Sequence, residues 1–302
     1  MKTYLYTSFG FLVCCGLAVL LCISTTTHAK YDPSIDSPLE QNIDDFVKQF
    51  RRRGSLASTE RTSFVVYDLS RGKKLVSINE DTPRMAASLI KNFVMLVYFH
   101  EVKQKRLTHN NTNKYHLRQM IRFSSNRSTN HFIRLVGGPS RAQRILKANY
   151  PYFEQTLIVE TIPLNGRTYR NKTSAQDLNK FYVQLWHKNL PFYEKMKYYL
   201  ELPNGDYIYK KTRIPASAKV YNKTGTVYGL IGDSGIIVMR DPQGKLRPYV
   251  FTGLIEDTSK PYGRRRISFG AWVNQRASIL RKVSERAYGY IYNSYGGKFV
   301  IR

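Results

Sequence analysis

The chain has 302 residues, with 48 Lys plus Arg against 21 Asp plus Glu, 42% hydrophobic residues and 13% aromatics. That apolar content excludes a disordered chain, and 19 Gly with 12 Pro in no repeat exclude a collagen-like or low-complexity one. The formal charge of +27 speaks to partners and surroundings rather than to fold.

Residues 1–29 read as a signal peptide. Lys2 precedes the apolar run Phe9 to Ile23, and small residues lead to a cleavage point after Ala29. A retained membrane anchor is the alternative, because the run approaches the lower bound for crossing a bilayer. On the first reading, residues 30–302 form an exported domain, periplasmic or at the cell surface. Cys14, Cys15 and Cys22 all lie in the leader, so the remainder has no disulfide, thiolate nucleophile or Cys-based metal site. The six His show no close pair at metal-ligand spacing, and neither a metal nor an organic cofactor is expected. Without the leader, 47 basic residues face 21 acidic ones. The basic residues are scattered (Arg51 to Arg53, Lys103 to Arg106, Arg264 to Arg266) and carry no RNA-binding aromatic motif or zinc-finger spacing. Nucleic acid is therefore not an expected partner, whereas anionic cell-wall polymers are. The chain is expected to be a monomer.

After an exposed leader at 30–36, Pro38 to Arg53 reads as a helix with Ile43, Phe46, Val47 and Phe50 on one face. Ser63 to Leu69, the turn Ser70-Arg71-Gly72-Lys73 and a second run through Ile78 form a β-hairpin signal. From Met85 the run AASLIKNFVMLVYFHEVKQ predicts a helix apolar on most faces, hence buried. Helices follow at His116 to Phe123, Thr129 to Val136 (stopped by Gly137-Gly138), Ser140 to Ala148 and Ser174 to His187, the last capped by Thr173 or Ser174. Strands return at Lys219 to Asn222, Gly235 to Met239 and Pro248 to Ile255, with Asp241 to Gly244 turning between the last two. Arg266 to Tyr288 is a closing amphipathic helix. The order predicts an α/β (α+β) fold: an antiparallel sheet flanked by terminal helices, with an all-helical subdomain inserted. The sheet subdomain takes 30–84 and 215–302, and the helical one 85–214.

Three short elements stand at the seams of this arrangement. In Ser88-Leu89-Ile90-Lys91 the i, i+3 spacing brings the amine to the hydroxyl, and apolar surroundings lower a lysine's pKa so that it can serve as base. Ser70-Arg71-Gly72-Lys73 has the same spacing but lies in a hairpin turn, so context separates the two. Ser124-Ser125-Asn126 falls in a loop between helices. Lys223-Thr224-Gly225 falls on a strand, where Gly admits close approach of a substrate backbone and Lys with Thr offers a carboxylate two donors.

Together, Ser-x-x-Lys, Ser-x-Asn and Lys-Thr-Gly form the signature of class A β-lactamases and penicillin-binding proteins. The chain resembles that superfamily of penicillin-recognising serine hydrolases over most of residues 40–300. The resemblance implies Ser88 as acylated nucleophile, Lys91 as its proton acceptor and Ser124 as proton relay to the leaving nitrogen. It implies that Asn126 binds the substrate's amide side chain and that Lys223 and Thr224 hold its carboxylate. The backbone N–H groups of Ser88 and Thr226 would form the oxyanion hole. Three departures stand out. Only 36 positions separate Ser88 from Ser124; Ser125 replaces the acid usual within the second motif, which is expected to loosen that loop; and Glu160 and Asn165 are five apart rather than four. Glu160 is the candidate to activate the deacylating water, with a loop-anchoring carboxylate as the alternative. The implied reaction is acyl-enzyme formation on Ser88 and hydrolysis of β-lactams. The alternatives are a D,D-peptidase or amidase on peptidoglycan stem peptides, and a penicillin-binding wall protein of slow turnover.

Overall fold

The computed structural model describes residues 37–163, 165–166, 168–257, 259 and 267–300, so the leader reading at 1–29 lies outside the described residues. The first helix, α1 (Pro38–Arg52), starts where Ser37 accepts from the Leu39 N–H, with Pro38 at its first position and Arg51 and Arg52 in its last turn. The hairpin follows as β1 (Glu60–Asp68) and β2 (Lys73–Ile78). A two-residue strand β3 (Arg84–Met85) leads into a 3-10 turn at Ala87–Ile90 and the buried helix α2 (Lys91–Lys103). Next come α3 (Asn111–Arg122), α4 (Asn126–Leu135), α5 (Pro139–Asn149), the short β4 (Lys172–Thr173), α6 (Ala175–Trp186) and α7 (Tyr193–Glu201). The chain then returns through β5 (Lys219–Val227), β6 (Leu230–Arg240) and β7 (Leu246–Asp257), and α8 (Phe269–Ser294) follows.

The main sheet has the order β2-β1-β7-β6-β5 with every neighbouring pair antiparallel, while β3 pairs with β4 separately. Its inner strands β1, β7 and β6 are buried along most of their length because both faces are covered. Phe64, Val66, Phe251 and Ile255 pack toward α1 and α8, whereas their strand neighbours Val65, Tyr67, Val250 and Leu254 pack into the helical layer. Helix α2 has buried residues without interruption from Lys91 to Glu101, as its apolar faces predict. Rings surround it: Phe93 lies 5.0 Å from Phe153 and 5.6 Å from Phe181, both near perpendicular. No helix among the described residues is long and apolar enough to cross a membrane.

Several boundaries differ from the sequence reading for local reasons. Helix α3 begins five residues early because Asn110 caps the Asn113 N–H at 2.9 Å, over a polar first turn that hides the apolar period. Helix α7 was not predicted. It enters through Phe192 in the left-handed region (φ 51°), without a side-chain cap, and buries Met196, Tyr199 and Leu200. Strands β5 and β6 run longer than predicted, since Gly225, Gly232 and Gly235 dilute their apolar pattern.

Candidate active site

The turn carrying Ser88 is fixed from three sides. The Ala86 N–H donates to the Asn171 carbonyl at 2.9 Å, and Ala86, Ala87, Leu89 and Ile90 are all buried, leaving Ser88 the half-buried member of the run. Ala87 holds φ 45°, a strained conformation for a residue with a Cβ, directly before the serine. Strand β5 closes the third side. A Cβ built on Gly225 would lie 2.7 Å from Leu89 Cγ, 3.1 Å from Leu89 N and 3.2 Å from Ala86 O. The close approach that Gly225 permits is therefore made by the serine's own turn, where the sequence reading had placed a substrate backbone.

A hydrogen-bonded cluster joins the three motifs. Lys91 Nζ lies 2.9 Å from Ser88 Oγ, 3.0 Å from Ser124 Oγ, 2.5 Å from the Ser124 carbonyl and 3.0 Å from Asn126 Oδ1. Ser124 Oγ donates to Ser88 Oγ at 2.9 Å, and Lys223 Nζ reaches Ser124 Oγ at 3.3 Å. Burial, reinforced by the charge of Lys223, drives the Lys91 pKa well below its ordinary value. A lysine so placed gives up its proton more readily than an exposed one. Burial also lowers Lys223, to about 8, with Asp233 opposing the shift.

The second motif is better ordered than its composition suggested. Ser125 caps α4 by accepting from the Ser128 N–H, and its own N–H donates to the Gln119 carbonyl at 3.0 Å. The replacement of the usual acid therefore leaves the loop tied rather than loosened, and Asn126 is the first residue of a helix. Behind β5, buried Asp233 accepts from Asn222 Nδ2 at 2.9 and 3.0 Å and from the Tyr207 N–H at 2.7 Å, while the Tyr207 hydroxyl lies 3.1 Å from Thr226 Oγ1. Asp233 and Tyr207 escaped the sequence reading because neither lies in a motif.

These elements border a cleft of 410 Å³ lined by Ser88, Ser124, Asn126, Thr226 and, beyond the predicted set, residues 165, 166, 168, 227, 228 and 269. The rings of Tyr228 and Phe269 lie 4.3 Å apart at its mouth, brought together from β5–β6 and α8 with no local sequence signal. Two larger hollows exist: one of 660 Å³ beside Phe50 and Arg276, and one of 690 Å³ beside Glu40 and Asp44. Neither contains a lysine beside a serine. Lys91, Lys223, Thr224 and Gly225 are not among the residues lining this cleft, and Lys91 and Lys223 reach it through the Ser124 hydroxyl. No group of three or more His, Cys, Asp or Glu capable of holding a metal occurs among the described residues.

Glu160 has other partners. Its Oε1 accepts from Thr168 Oγ1 at 2.8 Å and from the N–H groups of Tyr169 and Arg170 at 3.1 and 3.0 Å. Asn171 completes the loop by accepting from the N–H groups of Val159 and Glu160 and donating to the Glu160 carbonyl. The carboxylate therefore braces its own loop, and Glu160 is not among the residues lining the cleft.

The sequence matches the model of the beta-lactamase enzyme family over residues 38–116 and 110–291. No curated protein matches it. Among solved structures, PBP-A superposes with a TM-score of 0.68 at 19% identity, covering 87% of this chain and 97% of that one. A point mutant of PBP-A, solved as an acyl-enzyme complex with penicillin G, gives 0.67 at 19%, covering 87% and 98%. A class A beta-lactamase from Bacteroides cellulosilyticus gives 0.66 at 14%, covering 85% and 100%. At these identities the superpositions show a shared fold.

Proposed function

This chain belongs to the beta-lactamase enzyme family, and from that premise we propose that it is a serine hydrolase of penicillin-recognising type that acylates readily on Ser88 and deacylates slowly. The observation that carries the reading is the Ser88–Lys91–Ser124 cluster, with Lys91 buried and its pKa depressed. Neutral Lys91 takes the Ser88 proton as Oγ attacks the strained amide carbon. The developing oxyanion is held by the N–H groups of Ser88 and Thr226, each such donor being worth about 3 kcal/mol in acyl transfer. The C–N bond then breaks. Ser124 gives its proton to the departing nitrogen and is reprotonated from Lys91, 3.0 Å away. Lys223 and Thr224 bind the substrate carboxylate, and Asn126 the amide side chain.

Deacylation needs a base that activates water against the ester, within hydrogen-bond reach of that water. The hydrogen bonds that turn Glu160 onto residues 168–170 favour a persistent acyl-enzyme over rapid β-lactam hydrolysis. The corresponding natural substrate is a D,D-dipeptide end of a peptidoglycan stem, with export of the domain through residues 1–29 as part of the same reading. Intact-mass spectrometry over time with a fluorescent penicillin and with nitrocefin tests this. A long-lived adduct of one ligand mass, absent from Ser88→Ala, is expected. Coloured product at many turnovers per enzyme would instead support rapid β-lactam hydrolysis, and absence of any adduct would remove β-lactams as ligands.

A further inference from the structure

From Val102 to Phe153 the chain contains eleven Lys or Arg and not one Asp or Glu. These 52 residues include α3, α4 and α5, which pack on one another and on α2. Lys114, Arg118 and Arg122 recur every fourth residue, making one stripe of α3, and Arg127 and Arg134 lie seven apart on α4. The two stripes adjoin. The rings of His116 and His131 stack at 4.0 Å between the helices; burial lowers both pKa values, helped by Arg127 at His116 and by His116 and then Arg134 at His131. Among the described residues of this segment, only Arg106 and Arg141 are neutralised, by sharing buried Glu101 at 2.5 and 3.0 Å. Lys103, Lys105, Lys114, Arg118, Arg122, Arg127, Arg134, Arg144 and Lys147 form no ion pair among the described residues. Glu194 lines a hollow with Lys114 and Lys195 at the far end of the face.

Like charges four apart on a helix cost folding stability, roughly 0.2–0.5 kcal/mol per pair, so a face of this kind persists against its own repulsion. Two exposed rings sit among the cations, Tyr115 at 59% and Phe123 at 58% exposure, with the Arg122 guanidinium 4.9 Å from the Phe123 ring centroid. Residues of the face adjoin cleft-lining ones in the chain, since Arg122 and Phe123 directly precede Ser124 and Arg127 directly follows Asn126.

We infer that the α3–α5 face is a docking surface for an anionic glycan polymer, which holds the cleft beside polymer-linked substrate. The charge selects a polyanion, and the exposed rings offer flat apolar surfaces to sugar rings. The choice of a glycan over nucleic acid rests on reading the cleft as acting on envelope peptides. The test is binding of the full chain to dextran sulfate and to neutral dextran of equal length, as a function of salt. Binding to dextran sulfate alone is expected. In Lys114→Gln/Arg118→Gln/Arg134→Gln the salt slope should fall by roughly one per cation removed, with affinity down about tenfold or more at low salt. A control triple on the sheet side, Arg53→Gln/Arg240→Gln/Lys245→Gln, should change binding little. Equal loss in both triples would reduce the effect to net charge and overturn the proposal. So would tighter binding to duplex DNA, or to anionic phospholipid vesicles, at matched charge. Ser88 acylation by a soluble penicillin, followed in the same proteins, should be unchanged in the face triple. If wild type does not acylate at all, the reading of the cleft fails while the dextran comparison still decides the face.

Discussion

Replacing Gly225 by Ala separates two accounts of the third motif. If the glycine exists to admit substrate, Ala should raise KM and leave stability alone. The structure makes a different demand, because the new Cβ meets Leu89 Cγ at 2.7 Å, Leu89 N at 3.1 Å and Ala86 O at 3.2 Å. Carbon atoms in good contact sit about 3.5–4.0 Å apart, so the turn or the strand must move by several tenths of an ångström to nearly 1 Å. Leu89 is fully buried and cannot swing aside. Overpacking of this kind costs about 1–3 kcal/mol. The displaced atoms adjoin Ser88, whose Oγ now lies 2.9 Å from both Lys91 Nζ and Ser124 Oγ. Misplacement approaching 1 Å should slow acylation roughly 100-fold. Urea unfolding and the rate of fluorescent-penicillin labelling read the two effects. Gly270→Ala, at an exposed helical position with open space around the built Cβ, serves as control and should be neutral or slightly stabilising. A Gly225→Ala protein within about 0.5 kcal/mol of wild type, the range of an inert surface substitution, and acylating within a few-fold of its rate, would refute the proposed rigid contact.

Glu160→Gln should leave the lifetime of the acyl-enzyme nearly unchanged, and Glu160→Ala should destabilise by about 0.5–1.5 kcal/mol because three largely water-accessible donors lose their acceptor; a Gln variant that alone traps the acyl-enzyme would make Glu160 the base. The pH profile of acylation should be bell-shaped. It rises as Lys91 loses its proton, well below the usual lysine range, and falls as Lys223 loses its own near pH 8 and releases the substrate carboxylate. A sulfonyl fluoride, which carries no carboxylate, should label Ser88 without the falling limb, and a shared fall would assign it elsewhere. Arg276→Met should cost about 3–5 kcal/mol by leaving buried Glu60 without its paired guanidinium, now at 2.7 Å through two nitrogens, and Glu60→Gln added to it should restore part of the loss. The Glu60 pKa is lowered on balance, desolvation raising it but Arg276, the Ala57 N–H and Trp272 outweighing that. Its contribution to stability is therefore present above the ordinary carboxylate range and is lost as pH falls through the lowered value. Acid unfolding of wild type beside Glu60→Gln measures that contribution.

What the sequence disclosed follows from how locally each feature is encoded. The buried helix, the hairpin and the three motifs were legible because period and spacing lie within a few residues, and the order of elements then implied an antiparallel sheet with inserted helices. Helix α7 was not, since its entry at Phe192 has no side-chain cap and only three of its residues are buried. The function of Gly225 was legible only as a need for space, because what fills that space arrives from a segment 136 positions away. Tyr228 and Phe269 meet for the same reason, by tertiary placement alone.

The proposed division between acylation and deacylation has the same origin. Each group that the proposed acylation uses sits on an element that packing holds still: Ser88 on a turn fixed by Asn171 and β5, Lys91 at the head of a helix buried on all sides, Ser124 tied through its neighbour Ser125 to both adjoining helices. Water activation would fall to the loop between Leu157 and Lys172, whose ends bridge in antiparallel fashion. There the one carboxylate with suitable spacing is committed to three donors of its own loop. Releasing it toward the cleft would require breaking those bonds while Asn171 keeps the loop backbone in place. Placing a carboxylate at an exposed, cleft-lining position of this loop, as in Asn165→Glu, should therefore shorten the acyl-enzyme lifetime without changing its rate of formation. The decay of the penicillin adduct by mass measures that directly, and an unchanged lifetime in a folded, acylating variant would place the barrier to deacylation outside the loop.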